Sequence, residues 1–216
     1  MKIRLKPSIA KDGYYFAAFF VGIAVLSHQF LAARLAVPFL VLAMFCLYFF
    51  RDPQRVVATH PDTIVSAADG KIKSIEEFYE PAFLKEPAIR IVTVLSLFNV
   101  HINRAPIEGT VMYKKYERGK FHSAYIRKAE KNEKNYVGIT NDDISVLAVQ
   151  MVGTIARRIV SWVEEGEQIL RGDKIGLIRF GSRTDVIIPK SKIGQILVKK
   201  GDKVKAGESI LATIKR

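Results

Sequence analysis

The hydrophobic pattern divides the chain into two parts. Tyr14 to Ser27 is an almost uninterrupted apolar run. After His28 and Gln29 a second run extends from Leu35 to Phe50, broken by Pro38 near its start. Each run is shorter than the ~20 residues that cross a bilayer upright. Two such runs with a short joint predict a helical hairpin within residues 1–50 that spans or dips into a membrane. Lys2, Arg4, Lys6 and Lys11 lie at the start, Arg51 and Arg55 follow the second run, and the joint holds Arg34. Lysine and arginine concentrate on the cytoplasmic side of membrane segments. Both ends of the hairpin are therefore expected on the cytoplasmic side of the cell membrane. A cleaved signal peptide shares the basic start and the first run. It leaves the second run unexplained, and no clear small-x-small cleavage site is present.

Past Phe50 the pattern changes to charge and proline in Arg51-Asp52-Pro53, as at a domain boundary. Residues 51–216 then read as mainly β. Candidate strands are Arg90–Leu95, Gly109–Tyr116, Tyr136–Thr140, Ile144–Met151, Lys174–Phe180 and Thr184–Pro189, with turn residues such as Asn141-Asp142-Asp143 between them. Asp69-Gly70 carries a hairpin-turn signal. Near the C-terminus, Val163-Glu164-Glu165-Gly166-Glu167-Gln168-Ile169 matches Val198-Lys199-Lys200-Gly201-Asp202-Lys203-Val204 at an offset of 35. The match continues with Gly172-Asp173 against Gly207-Glu208. Arg171-Gly172-Asp173 is thus a repeat turn. Paired units of this kind resemble the lipoyl and biotinyl carrier domains and predict a β-sandwich with pseudo-two-fold character.

Composition narrows the partners. The net charge is +13, of which residues 1–50 carry +4 and residues 51–216 carry +9. Beside an apolar anchor, anionic membrane lipids fit this charge, at ~1 kcal/mol per basic residue near the surface. No nucleic-acid motif and no aromatic residues interleaved with the lysines are present, so no nucleic-acid partner is expected. The single cysteine, Cys46, excludes an internal disulfide and fits a reducing compartment. No Cys/His cluster has metal-ligand spacing, and no metal is expected.

The candidate chemistry centres on Gly181-Ser182, on the link between the repeat copies. Glycine leaves its carbonyl unshielded, and the serine hydroxyl lies one residue on. In a bent chain the hydroxyl attacks that carbonyl and turns the amide into an ester. β-Elimination then breaks the chain and leaves dehydroalanine, which hydrolyses to a pyruvoyl group and ammonia. The plainer alternative is a hairpin corner. A serine hydroxyl is inert near neutral pH without a base. Of the four histidines, His28 lies in the hairpin joint and His60 in a linker, so His101 and His122 are the candidates.

The apolar N-terminus, Arg51-Asp52-Pro53, Asp69-Gly70, the segment Leu95–Pro106 around His101, and Gly181-Ser182 stand in consistent order. Together they resemble the short bacterial phosphatidylserine decarboxylases over nearly the whole chain. The resemblance implies a proenzyme that cuts itself between Gly181 and Ser182. The products are a membrane-associated β chain, 1–181, and an α chain, 182–216, which form a heterodimer. A higher oligomer is left open. It implies a covalent pyruvoyl cofactor from Ser182, no external cofactor, and phosphatidylserine as substrate. The substrate amine forms a Schiff base with the ketone, CO2 leaves, and a protonated group, best assigned to His101, reprotonates the carbanion. Hydrolysis releases phosphatidylethanolamine. Asp69 resembles the carboxylate of the family's Asp-His-Ser triad.

Long-form members carry two histidines three residues apart here, the first for decarboxylation and the second for self-cleavage. His101 matches the first. Arg104 stands where the second would be, and arginine does not act as a base near neutral pH. Either His101 serves both steps, or His122 supplies the missing imidazole. Arg104 is a candidate contact for the substrate's phosphate or carboxylate, with a surface salt bridge as the alternative.

Two other classes share some features. A membrane-fusion adaptor or carrier joins a membrane segment to lipoyl-like repeats, but needs a coiled-coil insert or a flanked, modified lysine. Lys190 and Lys192 lack the flanking signature. A pyruvoyl decarboxylase of soluble amino acids leaves the apolar hairpin without a purpose.

Overall fold

The computed structural model describes residues 9–30, 32–58, 60–123, 126–154, 158–179 and 182–215. The chain divides into two compact units, Met1–Gln54 and Arg55–Arg216.

In the first unit, α1 (Lys11–Phe30) and α2 (Ala33–Phe49) pack side by side as a hairpin. Its two ends are joined by a bond of 2.8 Å from the Ala10 amide to the Phe50 carbonyl. Their seam is made mostly of small side chains, Gly13, Ala17, Ala24 and Ser27 against Ala36, Ala43 and Cys46. Phe49 and Phe50 are buried at the end of the pair, but many large apolar residues point the other way, with Tyr15, Phe19, Phe30, Val37 and Met44 all exposed. A water-soluble helix pair buries such residues. Small residues inside and bulky ones outside are the arrangement that suits helices in lipid, where close backbone packing rather than apolar burial drives association. α1 is long and apolar enough to cross a membrane, whereas the 17-residue α2 is shorter.

The second unit is mainly β. Its strands are β1 (Thr63–Val65), β2 (Gly70–Glu80), β3 (Glu86–Leu95), β4 (Ile102–Arg104), β5 (Gly109–Glu117), β6 (Lys134–Thr140) and β7 (Ser145–Val152). They continue with β8 (Ile159–Ser161), β9 (Gln168–Ile169), β10 (Lys174–Ile178), β11 (Ser182–Pro189), β12 (Ile193–Ile196), β13 (Lys203–Val204) and β14 (Ile210–Ile214). An eight-stranded antiparallel sheet runs in the order β13-β2-β3-β11-β7-β6-β5-β9. Two three-stranded sheets, β1-β14-β12 and β4-β10-β8, accompany it. β11 and β7 lie at the centre and are buried on both faces, β7 with a largely apolar sequence and β11 with the polar Ser182–Asp185 ahead of an apolar second half. The edges end in two-residue strands, which leave little unpaired backbone. The main core gathers Ile72, Ile91, Ile139, Val186 and Leu211.

Strand order shows a pseudo-two-fold relation. Exchanging β13 with β9, β2 with β5, β3 with β6 and β11 with β7 leaves the large sheet's order unchanged, and the same exchange relates the two small sheets. The repeat underlies this. Gly166 and Gly201 have φ of 87° and 100°, and Gly172 and Gly207 have 82° and 77°, the left-handed region that favours glycine. Each copy uses an acidic side chain to bind the amide three residues earlier, Glu167 to Glu164 and Asp202 to Lys199.

Asp69-Gly70 is not a hairpin turn. β1 on one side pairs with β14, and β2 on the other pairs with β3 and β13, so the dipeptide passes the chain from one sheet to another.

Candidate active site

β11 begins at Ser182, which pairs on one side with Leu95 and on the other with Val152. Gly181, the other half of the expected cleavage site, lies outside the described residues, as does Phe180. Ser182 is fully buried, and its hydroxyl has no hydrogen-bond partner among the described residues. A buried orphan hydroxyl is costly and rare.

The His101 segment borders both ends of the link that carries Gly181. Leu95, where the segment starts, pairs with Ser182. The His101 carbonyl accepts the Ile178 amide at 3.2 Å, and Ile102 pairs with Leu177. Asn99 shapes the loop by accepting the Ser96 amide and hydroxyl, each at 2.8 Å. The His101 ring is fully buried, with Nδ1 2.9 Å from the Asn99 carbonyl. A carbonyl only accepts, so Nδ1 is the donor in this contact.

His122 arrives from a different element. Its amide donates to Asn132 Oδ1 at 2.8 Å, and Asn132 Nδ2 donates to both the His122 and Val152 carbonyls. Val152 is a direct neighbour of Ser182. The fold therefore brings both histidine segments to the end of the sheet where β11 begins.

Asp69 is buried near the Gly70 start of β2. Its carboxylate takes the Arg55 guanidinium at 2.8 and 2.9 Å and the Ala206 amide at 2.9 Å. The imidazole is not among its partners. Sequence reasoning missed Arg55 in this role because only the fold brings it to Asp69. Arg104 is buried and donates to the Gly172 carbonyl at 2.9 Å, in one of the repeat turns.

The opposite face of β11 carries Arg183 and Asp185, joined by two bonds of 2.7 Å, with Glu130 2.8 Å from Arg183. Burial works against the Arg183 charge, but Asp185 and Glu130 outweigh it and raise its pKa above the ordinary range. A cavity of about 350 Å³ lined by Arg90, Glu130, Tyr136 and Asp185 lies on this face. Alternation along the strand directs Ser182 away from it. Among the described residues no group of three or more His, Cys, Asp or Glu is placed to hold a metal ion.

A buried serine hydroxyl at the start of a central strand, with the segment of a buried histidine paired next to it, is the arrangement that the fold sets out. Comparison gives the family. The model of the phosphatidylserine decarboxylase family matches residues 42–212. A phosphatidylserine decarboxylase proenzyme of Carboxydothermus hydrogenoformans is 44% identical over 175 residues, 81% of this chain and 82% of that protein. One from Symbiobacterium thermophilum is 40% identical over 214 residues, 97% of each chain. One from Desulfotalea psychrophila is 42% identical over 214 residues, 97% of this chain and 99% of that one. The chain belongs to the phosphatidylserine decarboxylase family and is a carboxy-lyase.

Proposed function

We propose that the protein is a self-cleaving proenzyme that converts phosphatidylserine to phosphatidylethanolamine and CO2. The observation that carries this reading is the buried, unpartnered Ser182 hydroxyl at the start of a central strand. Ser182 Oγ attacks the Gly181 carbonyl carbon. The new C–O bond replaces the C–N bond, and the hydroxyl proton passes through a base to the released amine. Loss of the Ser182 α-proton then expels the Gly181 carboxylate. Water converts the remaining dehydroalanine to a pyruvoyl group and ammonia.

That group supplies an electrophilic carbonyl that takes the substrate amine and draws electrons from the bond to the carboxylate. The residues present fit such a group, because Ser182 is enclosed and its hydroxyl serves no structural bond. His101 is assigned both proton transfers, as the base in cleavage and the acid in turnover. The contact of its Nδ1 with the Asn99 carbonyl supports this by fixing the orientation of the ring. His122 is the alternative cleavage base. Asp69 is the proposed orienting carboxylate, its oxygens held by Arg55 and the Ala206 amide. Arg104 is the proposed contact for the substrate's anionic groups.

Strand pairing supports a lasting heterodimer of chains 1–181 and 182–216. After cleavage β11 stays bonded to β3 and β7, β13 to β2, and β14 to β1. The pseudo-two-fold order is compatible with lipoyl/biotinyl-like units in a sandwich. The helix pair is proposed to anchor the enzyme in the cell membrane, its catalytic unit on the cytoplasmic side against anionic lipid. The test is CO2 release from phosphatidylserine in detergent micelles. The purified wild type releases it and Ser182→Ala does not. Equal release by both would refute the proposal.

A further inference from the structure

Ser182, His101 and Asp69 come from segments far apart in sequence, and one buried side chain touches all three segments. Asn103 follows His101 by two residues and is fully buried. Its Nδ2 donates to Thr184 Oγ1 at 3.0 Å and to the Ala67 carbonyl at 3.2 Å. Thr184 follows Ser182 by two, and Ala67 precedes Asp69 by two. The Asn103 Oδ1 accepts from Gln150 Nε2 at 2.8 Å, and Gln150 Oε1 accepts from Asn135 Nδ2 at 2.9 Å. Thr184, Gln150 and Asn135 are cross-strand neighbours on β11, β7 and β6 and so share one face of the large sheet. Ser182, two residues from Thr184 on the same strand, shares that face too.

The amide lies where β4 and β10 approach the large sheet. Gly176 on β10 pairs with Asn103, and a Cβ there would come 2.4 Å from the Val160 carbonyl and 2.9 Å from Gln150 Nε2. Only a glycine admits the Gln150 amide so close to that backbone. Every donor and acceptor of the Asn103 side chain has a use, in a place that water does not reach. Asn135 Oδ1, at the far end of this line of bonds, has no partner among the described residues, but the Asn103 amide is itself satisfied, and each bond removed from it leaves a buried partner unpaired.

We propose that Asn103 is the positioning residue of the active site, setting the distance between the His101 segment and Ser182 through Thr184 and the height of the Asp69 segment through Ala67. This rests on the reading of Ser182 as the self-cleavage nucleophile. Asn103 does not act on reacting atoms. It fixes where they stand, and a misplacement of about 1 Å costs on the order of 100-fold in rate.

The test is a cycle of Asn103→Ala, Thr184→Val and the double variant in the full chain. Newly translated proenzyme is followed by gel for the appearance of two chains, and matured enzyme is assayed for kcat and KM. Asn103→Ala slows cleavage by about 10- to 100-fold, and Thr184→Val slows it by less. The double variant is no slower than Asn103→Ala, because both remove the same link. In the matured enzyme kcat falls while KM stays, since Asn103 does not meet the substrate. Wild-type cleavage in Asn103→Ala overturns the inference, as do losses that multiply in the double variant. If Asn103→Ala does not fold, Thr184→Val decides alone, and an unchanged rate there overturns it. A wild type that never cleaves removes the self-cleavage reading and this inference with it. A wild type that cleaves beside an unaffected Asn103→Ala removes the inference only.

Discussion

His101 and His122 reach the same end of the large sheet by different routes, and the routes separate their roles. His101 is fully buried and its ring is fixed by the Asn99 carbonyl, whereas His122 is half-buried and held through its backbone by Asn132. A base needs an oriented ring, so the geometry favours His101 for both steps. His101→Ala is expected to remain one chain, while His122→Ala cleaves normally. Two chains from His101→Ala and accumulated precursor from His122→Ala would transfer the cleavage step to His122. Asp69→Ala is expected to slow cleavage, by up to ~10^4 if the carboxylate works as in a serine-protease triad. At this scale the sequence singles out the residue types that the proposed chemistry needs, Ser182 and His101, and the fold brings their segments together. The sequence was silent on Asn103, Gln150 and Arg55, whose parts depend on neighbours 14 to 81 residues away. One signal was available: Gln150 is a lone amide in an otherwise apolar strand, and such a residue needs a buried partner.

Among the elements, the buried strands were the readable ones. β3, β7, β10 and β11 are rich in Ile and Val and fall within a few residues of the expected positions. β2, the longest strand, was not expected. Lys71, Lys73, Glu76 and Glu77 break its apolar pattern, because much of it faces water. Its role comes from pairing with β3 rather than from its own composition. Glu130, in the 3₁₀ turn Arg127–Lys131, ties the connection carrying His122 to β11 through Arg183 and to β3 through Arg90. Burial raises the Glu130 pKa, but Arg183 and Arg90 outweigh it and hold the carboxyl below its ordinary 4.5. A carboxylate lowered by folding contributes stability that is complete above the unfolded value and is lost as pH falls through the folded one. Glu130→Gln should therefore unfold at a lower temperature than the wild type near neutral pH. The gap should close as pH falls below 4.5. Thermal scans across pH check this, and a gap that stays constant would remove the ion pair as its cause.

At the scale of the whole molecule, the two units obey opposite packing rules. Residues 55–216 put bulky apolar side chains inside, whereas the helix pair buries mostly alanines along its seam, with Phe49 and Phe50 buried at its end, and leaves Tyr15, Phe19, Phe30 and Met44 outside. That inversion was visible in the sequence only as two apolar runs. Which residues face the seam required the three-dimensional packing. The protein is expected to sediment with membranes and to need detergent for extraction, and removal of residues 1–54 should release the remainder. Full-length protein in the aqueous fraction without detergent would contradict the anchor. The pseudo-two-fold order was legible in part, because the glycine-rich turns repeat in sequence while the matching of β2 with β5 and of β3 with β6 does not.

The central claim is that the chain makes its own electrophile at Ser182, and a mass spectrum of denatured, freshly purified protein addresses it most directly. The account predicts two species. One ends at Gly181. The other is segment 182–216, lighter by one ammonia than its serine-headed form and resistant to N-terminal degradation, while Ser182→Ala gives a single intact chain. An intact wild-type chain that decarboxylates phosphatidylserine at full rate would contradict it.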